Sequence, residues 1–237
     1  MDSRNLIMVI GAHAADAEIM AGATILRHVA LGWRAVIVHM TLGEKGHLTL
    51  SPEEYARVKE EEALRAAENL RAECVMLPYG DGELPVSQEV QWAIADAIRR
   101  YRPDVLVTHW KGSFHRDHRN TYANVMESLF FAGLPAFKRK DSAHRVSRIY
   151  YAENWEDMAG FQPQVYLDVS DVFDRYIEAV RAYSLFRGEA STFPYLQWYR
   201  GASEMRGAEV GFGRAVALMR AGGVGRRALQ DLSASPG

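Results

Sequence analysis

Cysteine is nearly absent: Cys74 stands alone among 237 residues. A single cysteine excludes an intrachain disulfide and fits a reducing compartment. It lies in the apolar run Cys74-Val75-Met76-Leu77 and reads as a buried structural thiol. An excess of one charge is also missing. Lys and Arg total 28 against 30 Asp and Glu, a net charge of −2. That balance gives no reason to expect a nucleic acid or an anionic membrane as partner. No stretch approaches the roughly 20 apolar residues of a membrane span. Met1-Asp2-Ser3-Arg4-Asn5 runs into a short apolar segment without a small-residue cleavage site, so no signal peptide is expected. These absences together predict a cytoplasmic protein. The Gly-x-Gly-x-x-Gly pattern is missing too. His13 stands where the close-approach glycine of a dinucleotide site belongs.

What is present is enough apolar material for one large domain, 48% of the residues. In the first half, strand-like and helix-like segments alternate. Residues 6–10, 35–40, 74–77 and 104–109 read as strands, and 17–31 and 86–101 as helices. Another helix starts at Ser51-Pro52-Glu53-Glu54, with Ser as N-cap, Pro first and Glu third, and runs to about residue 71. The second half predicts strands at 148–151 and 164–169 and helices at 172–185 and 208–220. Such alternation implies an α/β, Rossmann-like fold, a mostly parallel sheet with helices on both faces. Residues 1–221 are expected to form one domain and 222–237 a flexible tail.

Ligand sites in such folds lie outside the carboxyl ends of the strands. His13, Thr41–Glu44, Tyr79–Gly82 and His109–His118 all follow predicted strands. They converge on one edge. Within "GAHAADAEIMAGAT" (residues 11–24), His13 and Asp16 leave the first strand together. Within "HWKGSFHRDHRNTY" (residues 109–122) lie His115, Asp117 and His118. Two imidazoles and a carboxylate, with a position left for water, are what a catalytic zinc site needs. Zinc lowers the pKa of its water to roughly 7, and a nearby carboxylate can then take the proton. Spacing alone leaves a second reading open, in which His13 caps a helix and His115 and His118 are surface loop residues.

"GAHAADAEIMAGATI" resembles the signature of the LmbE-like (PIG-L-like) zinc-dependent N-deacetylases, Ala-His-Pro-Asp-Asp-Glu. "HRDH" resembles their His-x-Asp-His motif. "TLGEKG", "LPYGDGEL" and "RPDVLVTHW" resemble family segments in the same order. The likeness covers residues 5–125 well and the remainder loosely. It implies hydrolysis of an N-acetyl group on a small N-acetylglucosamine-type substrate, of which a thiol-cofactor precursor is one example. By position it makes His13, Asp16 and His118 the zinc ligands, with Fe²⁺ fitting the same set. His115 would polarise the amide, stabilise the oxyanion and protonate the leaving amine. Asp117 would orient an imidazole. Glu44, Lys59 and Asp81 are candidate substrate contacts, each with an alternative left open: a solvated loop acid, a residue of a solvated helical face and a turn aspartate; family likeness points to a homo-oligomer.

The resemblance fails at one place. The family's general-base Asp falls on Ala15, and its Pro on Ala14. Losing a positioned base costs roughly 10²–10⁴ in rate. The expectation is an inactive or strongly impaired deacetylase that still binds metal. Two origins compete, an Asp→Ala exchange made to trap substrate and a natural variant. The otherwise complete machinery favours the first. The alternative function is a metal-containing pseudoenzyme that binds an amino sugar without turnover. Glu44 or Asp117 standing in as base ranks below both. Ser113 stands where some members carry an oxyanion-stabilising Tyr. The aromatic stretches 150–156 and 193–200 read as core first and as sugar-stacking or subunit contacts second.

Overall fold

Leu6-Ile7-Met8-Val9-Ile10 is apolar without alternation, the pattern of a strand covered on both faces. The computed structural model, which describes residues 5–221, places it at the centre of a sheet. In chain order the elements are β1 (Leu6–His13), α1 (Asp16–Ala30), β2 (Arg34–Thr41), α2 (Pro52–Leu70), β3 (Glu73–Tyr79), α3 (Gln88–Tyr101) and β4 (Val105–Thr108). Then follow α4 (Arg116–Gly133), β5 (Arg148–Ala152), β6 (Val165–Asp168), α5 (Phe173–Val180), α6 (Ser184–Arg187), α7 (Tyr195–Val210) and β7 (Ala215–Arg220). The sheet order is β3-β2-β1-β4-β5-β7-β6. β1 to β5 are parallel, and β7 runs antiparallel between β5 and β6. This is the α/β, Rossmann-like arrangement that the alternation implies. The tail expected at 222–237 lies outside the described residues.

Side chains of a strand alternate between faces. Ile7 and Val9 of β1 join Ile37 and Val107 in a core under α1, α2 and α5. Leu6, Met8 and Ile10 join Val36, Val38 and Leu106 in a second core under α3 and α4. The capping box of α2 forms as its sequence predicts. Ser51 Oγ accepts from Glu54 N at 3.2 Å, and Glu54 Oε2 accepts from Ser51 N at 3.0 Å. No helix among the described residues is long and apolar enough to cross a membrane.

The second half departs from expectation. Residues 208–220 do not form a helix. α7 ends at Val210, Gly211 takes a left-handed φ of 78°, and Ala215–Arg220 becomes β7. Six residues of mostly apolar sequence fit a strand as well as a helix, and the open slot beside β5 decides. Helix α4, which the sequence left as a polar motif, begins directly after His115.

The helix expected over 172–185 stops at Val180. The turn that follows carries Tyr183 inward, where its hydroxyl donates to Glu18 Oε1 at 2.8 Å. Both residues are fully buried, and His39 Nε2 lies 3.3 Å from the same Glu18 oxygen. Tyr183→Phe removes a buried donor to a carboxylate, so it should lower stability by about 1–3 kcal/mol in urea unfolding. An unchanged midpoint would show that the bond carries no net stability.

Candidate metal centre

The strand order reverses between β1 and β4, so their carboxyl ends open a crevice at the switch point. β1 delivers His13 there. α1 must turn back at once, and Gly11 permits it: a Cβ on Gly11 would lie 2.8 Å from Ala17 N. Ala15, the residue before α1, has φ 103°. Only two other residues without a glycine's freedom, Arg71 and Arg102, share a positive φ among the described residues. Alanine is strained there. The Ala14 peptide is pinned at both ends. Its N–H donates to Thr41 O at 3.0 Å, and its carbonyl accepts from the buried Lys59 ammonium.

This turn aims Asp16 back at the strand. Asp16 Oδ2 accepts from His13 N at 2.9 Å and lies 3.0 Å from His13 Nδ1. The same oxygen is 3.2 Å from His118 Nε2, which α4 supplies from its first turn. One carboxylate oxygen thus sits against two imidazole nitrogens. His13 Nε2 faces the other way, 3.2 Å from Asp81 Oδ1 and 3.3 Å from Asp117 Oδ2. Asp117 is further fixed by the Gly82 N–H at 2.6 Å, and Asp81 by the Lys45 N–H at 2.9 Å. His115 is the N-cap of α4 and accepts from Asp117 N through Nδ1 at 3.2 Å. Its ring lies 4.7 Å from His13 and 4.8 Å from His118.

Charge is dense here, and burial opposes it. At His13 the Asp16, Asp117 and Asp81 carboxylates outweigh burial and raise the imidazole well above its ordinary range. At His118 burial is likewise outweighed, by Asp16 and Asp157, and its pKa is raised to about 9. Burial pushes Asp16 up, but His118 and His13 bring its carboxyl well below the usual range. His115 goes the opposite way, lowered by burial and by the neighbouring His13 and His118 charges. Three groups of donors are close enough to hold a metal ion: His13, His115 and His118; Asp16, His109 and His118; and His13, Asp81 and Asp117.

The centre opens on a cleft of about 400 Å³ lined by His13, Ala14, Asp16, Lys59, Asp81, His115, His118, Glu156 and Tyr195, among others. The structure brings His13, Asp16, His115, Asp117, His118 and Asp81 together. Lys59 reaches the cleft wall but is 3% exposed, with its ammonium on Ala14 O. Glu44 does not line the cleft, and its Oε1 accepts from Asp81 N at 2.9 Å. Ala15 is 2% exposed and packs into the core beside α1, while Ala14 faces the cleft. Ser113 is not a cleft residue and lies 3.4 Å from His118 Nδ1.

Three further residues belong to the centre. Asp157 Oδ1 is 2.8 Å from His118 Nδ1, and Asp157 Oδ2 is 2.7 Å from His109 Nδ1. Glu156 Oε2 lies 3.3 Å from His118 Nε2, and burial raises its carboxyl. His109 had a signal in the sequence, as the polar residue closing an apolar strand. Glu156 and Asp157 come from the loop after β5, some 40 positions past the His-x-x-His motif, and no local pattern links them to it.

Fold and centre together define an α/β protein with an imidazole–carboxylate site at the carboxyl edge of its sheet. The family model for PIG-L, the GlcNAc-PI de-N-acetylases, matches residues 8–129, just over half of the chain. A diacetylchitobiose deacetylase from Thermococcus kodakarensis is 30% identical over 207 residues, 81% of this chain and 72% of the relative. The chain belongs to the PIG-L family. A 4-oxalmesaconate hydratase from Pseudomonas putida is 24% identical over 73% of this chain and 71% of its own. Among solved structures, a 4-carboxy-2-hydroxymuconate hydratase from Pseudomonas putida superposes with a TM-score of 0.83 at 21% identity, over 96% of this chain and 99% of that one. A diacetylchitobiose deacetylase from Pyrococcus horikoshii does so with 0.79 at 24% identity, over 92% and 84%.

Proposed function

We propose that this chain holds a divalent cation at His13, Asp16 and His118 and is a slow N-deacetylase for a small, uncharged N-acetylated amino sugar. The observation that carries the reading is Asp16 Oδ2, 3.0 Å from one imidazole nitrogen and 3.2 Å from another at the wall of the cleft. A tetrahedral ion with arms of about 2.0–2.1 Å holds its donors about 3.3–3.4 Å apart, so both pairs need to open by only a few tenths of an ångström to take one. Two nitrogens and one oxygen fit Zn²⁺ and also Fe²⁺. Such an ion supplies Lewis acidity and a water acidified to a pKa near 7.

The remaining work falls to the chain. Because His115 Nδ1 accepts a backbone N–H, the neutral ring carries its proton on Nε2. That donor can bind an amide carbonyl, stabilise the oxyanion and pass its proton to the departing amine. Asp117 and Asp81 hold His13 from behind. Lys59 anchors the Ala14 carbonyl and so the turn between the two ligands. Ala15 offers no proton acceptor, and Glu44 is engaged elsewhere, so turnover is slow.

The cleft also limits the substrate. Among its described lining residues Lys59 is the one cation besides histidine, and Asp16, Asp81 and Glu156 are carboxylates. A polyanion would find little to pair with, while a polyol can hydrogen-bond to these acids and to Ser191 and Thr192. A second reading is addition of water to an unsaturated carboxylic acid. What favours it is the likeness to a 4-oxalmesaconate hydratase over 73% of this chain.

The test loads the protein with zinc and offers an N-acetylglucosamine conjugate and, separately, an unsaturated dicarboxylic acid. Slow acetate release with no hydration is the expected result. Hydration without acetate release would replace the deacetylase reading with the second. Tight sugar binding with neither product would make the chain a binding protein.

A further inference from the structure

His109 and Asp157 have no role in the family likeness, yet both are fully buried against the proposed cation ligand. Their hydrogen bonds can be read in only one direction. The backbone N–H of Ala12 donates to His109 Nε2 at 3.0 Å. A backbone N–H cannot accept, so His109 Nε2 presents a lone pair. Asp16 Oδ2 lies farther from that nitrogen, at 3.5 Å, and is the weaker neighbour. The His109 proton therefore sits on Nδ1 and goes to Asp157 Oδ2 at 2.7 Å. The second oxygen of Asp157 takes a proton from His118 Nδ1 at 2.8 Å. That leaves His118 Nε2 as the atom presented to Asp16 and the cleft.

We propose that Ala12 N–H, His109 and Asp157 form a directional relay that sets the tautomer of His118 and keeps its Nε2 open for a cation. His109 and Asp157 are positioning residues, and the relay rests on the metal reading given above. A carboxylate partner on a metal-ligating histidine is a general device. The particular feature here is that β1 fixes the direction from the far end. One carboxylate bridges two imidazoles, and a backbone amide decides how the first must point. The stacked rings of His109 and His118, 4.0 Å between centroids, hold the geometry.

Direction makes the relay testable. An amide at position 157 has one acceptor and one donor where the carboxylate has two acceptors. In Asp157→Asn, His109 still needs an acceptor, because Ala12 N–H still occupies its Nε2. The amide oxygen must face His109, and the NH₂ must face His118 Nδ1. His118 then carries its proton on Nε2 and loses its ligand atom. In serine proteases the same exchange strands the catalytic imidazole in the wrong tautomer. Removing His109 as well frees the amide to turn round, so the double variant His109→Leu/Asp157→Asn should recover what the single variant lost.

The experiment measures zinc affinity by chelator competition and histidine protonation by ¹⁵N NMR. Asp157→Asn is expected to lower affinity about 100-fold, the upper end of outer-partner losses. The double variant should bind about tenfold better than Asp157→Asn. His109→Gln, whose amide can accept from Ala12 and donate to Asp157, should stay within a few-fold of the parent. The zinc-loaded parent should show His109 with its proton on Nδ1 and a bare Nε2. A folded Asp157→Asn that keeps parental affinity, a double variant no tighter than the single, or a His109 proton on Nε2 in the parent overturns the relay. The last measurement needs no variant to fold. A parent that binds zinc without His118 instead overturns the cation assignment and leaves the His109 reading standing.

Discussion

Ala15→Asp is expected to raise acetate release from an N-acetylglucosamine conjugate by about 10²–10⁴-fold, the usual worth of a positioned base. The gain should fall on kcat, because the new carboxylate accepts a proton in the transition state and adds little to ground-state binding. Position 15 directly precedes Asp16, and its backbone is already held at φ 103°. Ala15→Asn serves as the control, matching Asp in size and backbone preference but lacking the proton acceptor. It should leave turnover at the parental level. Because Ala15 is 2% exposed, folding of both variants is checked by circular dichroism. A folded Ala15→Asp chain with intact zinc and no added turnover would contradict the role given to this position.

His118→Ala is expected to reduce zinc affinity by more than 100-fold, beyond the roughly 10–100-fold that loss of an outer partner costs. It removes one of three donor side chains and leaves Asp16 with His13 at 3.0 Å and His109 at 3.5 Å. It also strips Asp157 of one of its two N–H partners. Burial pushes Asp157 up, and the hydrogen bonds it receives from His109 and His118 hold it well below the usual carboxylate range. Losing His118 therefore weakens the pairing of a buried carboxylate as well. Equilibrium dialysis against zinc measures the loss, and unchanged stoichiometry would show that the ligands lie elsewhere.

Much of this centre is legible in the chain, because the parallel sheet converts order in sequence into place in space. His13 and Asp16 sit where one strand becomes one helix. His115, Asp117 and His118 sit where another helix begins. An apolar run and turn residues reveal the first junction, while the second shows only as a polar motif after a strand. The carboxyl-edge rule then brings them together without further information. What sequence could not show depends on distant contacts. Asp157 meets His109 and His118 across 48 and 39 positions. Lys59 lies in a charged helical run that reads as a solvated face, yet it is buried under the Ala14 carbonyl. In the second half, β7 takes its strand form from the free edge of β5, and Tyr183 ends a helix to reach Glu18. Neither event leaves a periodic trace. The PIG-L match stops at residue 129, so family likeness offers least help where the sequence is also least regular.

The proposed set draws His13 and His118 from one of the three donor groups and Asp16 from another, and His13 meets a carboxylate through each ring nitrogen. Anomalous diffraction at the zinc edge from zinc-loaded crystals distinguishes them directly. The expected result is one strong peak bounded by His13 Nδ1, Asp16 and His118 Nε2, at the wall of the cleft. A peak bounded by His13 Nε2, Asp81 and Asp117, or no peak among these residues, would contradict the proposed site.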